Sequence, residues 1–144
     1  MAMKLLPMVC FAALLLVACQ TTVAGGPGGD ACNGVSMPEY RVHAPDDDVT
    51  PELARFAGVW HGQWQGQFPT CLVVAHVQAN GLATLVYGWP QGHRFLSSTI
   101  QDGTIRFGRE FKFVFAMTDG GEIEGVLTSP SGVQYVTLRK SGGS

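Results

Sequence analysis

Residues Phe56 to Pro90 read F-A-G-V-W-H-G-Q-W-Q-G-Q-F-P-T-C-L-V-V-A-H-V-Q-A-N-G-L-A-T-L-V-Y-G-W-P. Trp60, Gly62, Trp64 and Gly66 recur at period two, so one face of a strand alternates indole with bare backbone. A second apolar run, Cys71 to Val77, leads to Asn80-Gly81, a strong two-residue hairpin signal. That turn predicts Val74 opposite Tyr87 and His76 opposite Leu85. Leu82 to Trp89 comes next as a third strand. The stretch is the opening half of an antiparallel β-meander.

Working outward, eight strands are predicted, at about 58–66, 71–78, 82–89, 94–101, 104–108, 111–117, 122–128 and 133–139. Asp102-Gly103 as a two-residue turn sets Ile100 opposite Ile105 and Ser98 opposite Phe107. A tight link through Gly108 to Glu110 sets Phe107 against Phe111. A three-residue loop, Asp119 to Gly121, pairs Met117 with Ile123, Phe115 with Gly125 and Phe113 with Leu127. These registers agree on one inward set: Ile105, Phe107, Phe111, Phe113, Phe115, Met117, Ile123, Gly125 and Leu127. Arg106, Lys112, Glu122 and Glu124 then point out. Joining Trp60 and Trp64 to the face of Val74 needs an odd-length loop near Phe68-Pro69-Thr70. The last strand has no resolved parity. The second strand is apolar on both faces, which suits a strand covered from outside by the chain near Cys32.

Ahead of the first strand, Thr50-Pro51-Glu52-Leu53-Ala54-Arg55-Phe56 reads as one or two helical turns. Thr50 is the N-cap, Pro51 takes the first helical position and Gly58 ends the turn. Leu53 and Phe56 then plug one end of the strand assembly. Eight short antiparallel strands in meander order close into an up-and-down barrel, which removes exposed edges. The fold class is all-β, a small eight-stranded barrel preceded by a short helix. A helical turn, Gly58-x-Trp60 on the first strand and an eight-stranded meander resemble the lipocalin, fatty-acid-binding and avidin group. The resemblance implies that Trp60 packs across the closed end of the barrel; it carries no activity with it.

The N-terminus stands apart from this domain. Lys4 and the 13-residue apolar run Leu5 to Val17 form a signal peptide, too short to span a bilayer as a helix. Leu16-Val17-Ala18-Cys19 resembles the lipobox of bacterial lipoproteins. The resemblance implies cleavage before Cys19 and acylation there, palmitate included, as a lasting membrane anchor. Gln20 resembles the sorting pattern of Gram-negative lipoproteins kept in the outer membrane, facing the periplasm. The chain thus divides into a signal peptide (1–18), a lipidated flexible tether (19–48) and a barrel domain (49–141). Of four cysteines, Cys10 leaves with the signal and Cys19 takes lipid. Cys32 and Cys71 remain as a disulfide pair in an oxidising compartment, with two free thiols as the alternative.

The 144 residues carry nine Lys and Arg against eleven Asp and Glu, a net charge of -2. Such a chain has no basic surface for nucleic acid. No H-E-x-x-H, C-x-x-C, Walker loop or G-x-S-x-G occurs, and the acidic run Asp46-Asp47-Asp48 lacks the spaced oxygens of a calcium loop. His43, His61, His76 and His93 are scattered, so neither catalytic residues nor metal ligands nor a cofactor are assigned. His61 faces out, while His76 shares a face with Leu72 and Val74. Trp60, His76, Tyr87 and Trp89 are the candidate ligand-binding residues. The many inward aromatics favour a barrel filled by its own side chains, with a small pocket under Tyr87-Gly88-Trp89-Pro90 as the alternative.

The resulting expectation is a non-catalytic envelope lipoprotein acting as a binding module for a protein, a glycan or a small apolar ligand. Two alternatives stand beside it. One is a hydrophobic-ligand carrier of the lipocalin kind. The other is a hydrolase inhibitor, because the size and architecture resemble the small periplasmic inhibitors of metalloproteases and lysozyme.

Overall fold

The computed structural model describes residues 24–25 and 32–142. The expected signal peptide and lipobox, Cys19 included, lie outside the described residues. A short helix, α1 (Pro51–Ala54), precedes eight strands: β1 (Gly58–Trp64), β2 (Phe68–Val77), β3 (Leu82–Trp89), β4 (Gly92–Thr99), β5 (Thr104–Phe107), β6 (Lys112–Met117), β7 (Ile123–Ser129) and β8 (Gly132–Lys140). Every sequential pair except β4–β5 is an antiparallel ladder, and β1 pairs with β8, giving the order β4-β3-β2-β1-β8-β7-β6-β5. The sheet therefore curls into a nearly closed barrel. Its seam lies between β4 and β5, bridged by Gln101 with Thr104 and by Ser98 Oγ donating to the Arg106 carbonyl at 2.7 Å.

The odd-length loop after β1 is Gln65 to Gln67, and it sets Trp64 opposite Phe68, Gly62 opposite Thr70 and Trp60 opposite Leu72. Pro69 thus lies inside β2 rather than in the loop. It occupies the strand's start, where β3 has already ended, so its missing N–H interrupts little of the ladder. Gly62 faces β8 closely, and a Cβ there would run into the Thr137 carbonyl oxygen.

Two registers differ from the sequence reading. After β2 the loop holds three residues, Ala79 to Gly81, closed by Gln78 and Leu82. A β-bulge at Ala75 then moves the register again, so Val74 faces Leu85, Leu72 faces Tyr87 and His76 faces Thr84. The bulge turns His76 to the outside, where its ring meets that of His43 at 5.8 Å. The β5–β6 link is also longer than the tight turn expected. Phe107 pairs with Phe113, and Phe111 is 52% exposed at the end of the barrel rather than inward. The β6–β7 pairings fall as read: Met117 with Ile123, Phe115 with Gly125 and Phe113 with Leu127. In β8, Gln134, Val136 and Leu138 take the inner parity, opposite Leu127, Gly125 and Ile123.

A second, smaller core lies outside the barrel wall. Cys71, Val73, Ala75 and Val86 point outward from β2 and β3 and are buried under Cys32, Met37 and Tyr40. The Met37 sulfur fills the space above Gly88 that any side chain would take. Backbone bonds from Ser36 to Trp89 and from His43 to Ala75 fix this strap along the barrel. Ala24–Gly25 adds a two-residue ladder to Tyr40–Arg41. Cys32 and Cys71 form a disulfide across 39 positions of sequence. Residues 32–48, expected from sequence to belong to a flexible tether, therefore include a packed strap, because the outer face of β2 is too apolar to leave in water.

One end of the barrel is shut. α1 carries Leu53, and the turn after it carries Phe56, onto the core beside Val49 and Ala57. Thr50 has extended backbone at the N-cap but makes no side-chain cap bond. The Trp60 indole N–H donates to the Phe56 carbonyl at 2.8 Å, and Lys140 Nζ lies 5.2 Å from the centre of its ring. Arg55 donates to the Thr118 carbonyl and Lys140 to the Arg55 carbonyl, closing the loops over the plug. Burial, and then the nearby Arg55 charge, pull the Lys140 ammonium below its ordinary pKa.

Candidate functional site: an aromatic cup at the open end

The strands run alternately, so the C-terminal ends of β1, β3, β5 and β7 and the starts of β2, β4, β6 and β8 share the end opposite α1. No helix among the described residues covers that end. A cavity of about 910 Å³ opens there, walled by Trp64, Tyr87, Trp89, Phe107, Phe113 and Leu127. The expectation of a filled barrel holds only below this level. Trp60, Leu72, Leu85, Ile105, Ile123 and Leu138 pack the lower half with almost no exposed surface.

The floor is built from rings. Trp64 lies 6.0 Å from Phe115, and Tyr87 lies 4.8 Å from Phe113 between ring centres. Phe107 and Phe113 stack at 4.8 Å, and Tyr87 stacks on Trp89 at 5.9 Å. The Trp64 indole N–H donates to the Tyr87 hydroxyl at 3.0 Å, so two polar atoms in an apolar setting satisfy each other. Burial raises the Tyr87 pKa above its ordinary value, an effect partly offset by the neighbouring Thr70 hydroxyl and by the Trp64 N–H that donates to the phenol oxygen. The phenol is therefore neutral at physiological pH.

The polar wall is sparse. Arg94 lies opposite Tyr87 in the β3–β4 ladder and so shares the inner face with it, lining the cup near the seam. Gln134, on the inner face of β8, lines it four strands away in the ring order, on the opposite wall. Phe68 and Phe111, 54% and 52% exposed, stand at the rim with Arg109 and Glu110.

Of the four residues that the sequence suggests as ligand-contacting, Tyr87 and Trp89 lie on the cup. Trp60 belongs to the shut end, and His76 lies outside the barrel. Sequence reasoning missed Arg94 and Gln134. The signal for Arg94 is present: Pro90-Gln91 as a two-residue turn sets Trp89 opposite Gly92 and hence Tyr87 opposite Arg94. Phe107 and Phe113 point inward as expected, but they wall a space instead of filling it. Among the described residues, no three His, Cys, Asp or Glu side chains are grouped to hold a metal ion. A second hollow of about 570 Å³ on the outer wall, between the strap and the end of β8, is shallow and mixed in character. No family model, no curated protein and no solved structure matches the chain, and any reading of the cup rests on its own geometry.

Proposed function

We propose that the chain is a non-catalytic, lipid-anchored envelope protein whose barrel binds a small, largely apolar ligand in the open-end cup. The single observation behind this reading is the cavity itself. Its 910 Å³ falls in the range of small-molecule sites, and its wall is aromatic with few polar groups, as such sites are. A protein that only displayed its outer surface would gain stability from filling that space, since interiors otherwise pack to crystal density.

The test is tryptophan fluorescence of the purified chain titrated with a neutral apolar ligand, naphthalene-2-carboxamide. Trp64 and Trp89 line the cup and Trp60 does not, so saturable quenching that is reduced in Trp89→Phe is the expected outcome. Quenching unchanged in Trp89→Phe would place the ligand elsewhere. The anchor is tested separately: Cys19→Ser should release the protein from membranes, and a variant that stays membrane-bound like wild type would remove that part of the proposal.

A further inference from the structure

Resting on the reading of the cup as a ligand site, we infer that its ligand is a compact, ring-containing anion, with Arg94 as the anion-binding residue. The first ground is shape. The floor lies at the level of Trp64, Tyr87 and Phe113, and the rim at Phe68, Pro90 and Phe111. From Tyr87 to Pro90 is three residues of strand, roughly 10 Å at the usual rise of about 3.3 Å per residue. Below the floor the barrel is solid with Trp60, Leu72, Leu85 and Ile105. A volume of about 910 Å³ over so little depth makes a wide, shallow cup. A long acyl chain would have to leave the cup or fold on itself, whereas a fused or linked ring system lies flat within it.

The second ground is the wall. Ring faces and edges on β1, β3, β5 and β6 offer offset-stacked and edge-on contacts, which favour another aromatic over an alkyl chain. The third ground is charge. The ion pair found among the described residues is Arg139 with Glu122, on the barrel's exterior, and Arg94 has no carboxylate within ion-pair distance there. Arg109 and Glu110 at the rim offset each other in sign, which leaves Arg94 as the net charge of the cup. A guanidinium presents a planar fork of donors to a carboxylate, sulfonate or phosphate, and does so more strongly beside a low-dielectric wall. Gln134 on the opposite wall supplies a neutral amide for a second polar substituent.

The experiment compares three probes by calorimetry on the purified full chain: naphthalene-2-carboxylate, its uncharged isostere naphthalene-2-carboxamide, and decanoate. The expected result is carboxylate binding about tenfold tighter than carboxamide, and decanoate weaker than naphthalene-2-carboxylate. Arg94→Gln should bring the carboxylate to within about twofold of the carboxamide. Arg94→Lys should restore part of the preference. The melting temperature of each variant checks that the fold is kept. Equal binding of the two naphthalenes by wild type, or an unchanged preference in Arg94→Gln, would overturn the anion assignment while the cup stands as a site. Decanoate binding tighter than naphthalene-2-carboxylate would overturn the ring assignment. Binding of none of the three would overturn the ligand-site reading itself.

Discussion

The two ends of the barrel are made from the same kinds of residue and reach opposite results. At the shut end, Trp60 is buried against Phe56, with its N–H bonded to backbone and its ring under Lys140. At the open end, Trp64 lies on the same strand face four residues on and is nearly as buried, but it bonds to a side-chain hydroxyl and forms the floor of a cavity. The difference comes from what caps each end. α1 and the strap's last turn bring Val49, Leu53 and Phe56 onto the lower rings, and no segment among the described residues does so above. Aromatic content alone does not separate a core from a site; the presence of a lid does.

The comparison breaks most directly at Trp60. Trp60→Ala removes a fully buried indole from a region that cannot collapse around the loss, and should cost roughly 3–5 kcal/mol of stability in denaturant unfolding. Naphthalene affinity should be nearly unchanged at temperatures where the variant is folded. A large change in affinity with little loss of stability would mean the two halves are not separate.

Next in size is the staple on the barrel's flank. Replacing Cys32 and Cys71 together by serine opens a loop spanning 39 positions and should cost about 2–4 kcal/mol, measured by chemical denaturation with and without reductant. Because the disulfide lies in the outer core, the loss should leave the cup's affinity close to wild type. Reductant that destabilised the double variant as much as wild type would contradict this.

At the boundary between the halves, Tyr87→Phe strips the Trp64 N–H of its acceptor and should cost about 1–3 kcal/mol. The same variant has a signature in pH. Tyr87 has a raised pKa in the fold, so its contribution is fully present below the ordinary tyrosine value of 10.0 and is lost as pH rises through the folded value. The alkaline fall in melting temperature should therefore be shallower in Tyr87→Phe. An identical fall in both proteins would show that the phenol ionises as freely as in the unfolded chain.

The smallest effect belongs to Lys140, and its sign is opposite. Its pKa is lowered in the fold, so stability should rise as pH climbs toward the ordinary lysine value of 10.5, where the unfavourable charge is lost. Lys140→Met should flatten that rise, read as melting temperature across the alkaline range. A steeper rise in the variant would exclude Lys140 as its source.

How much of this is legible in the sequence differs along the chain. The meander, the β6–β7 register and the plug of Leu53 and Phe56 follow from period-two alternation and turn chemistry, which act locally. Two departures come from features that local rules do not see. The bulge at Ala75 reverses His76, and a longer β5–β6 link lifts Phe111 to the rim. The apolar outer face of β2 signals a cover, and the strap provides it. Sequence reasoning fills the cup because volume depends on how strands converge, and side-chain sizes alone do not report that. Arg94 needs only the Pro90-Gln91 turn to be placed on the inner face, opposite Tyr87.

The disulfide between strap and wall also sets how the molecule bears force. A pull on the chain upstream of Cys32 meets first the two-residue ladder of Ala24–Gly25 with Tyr40–Arg41, which is short enough to shear away. The load then passes through the sulfur bridge into Cys71, in a strand bonded to neighbours on both sides. The rest of the strap, α1 and the plug lie between the two cysteines in sequence and so carry none of it. Tension is delivered to β2 in the barrel wall, and the shut end keeps its shape under a tug that would otherwise peel the strap away.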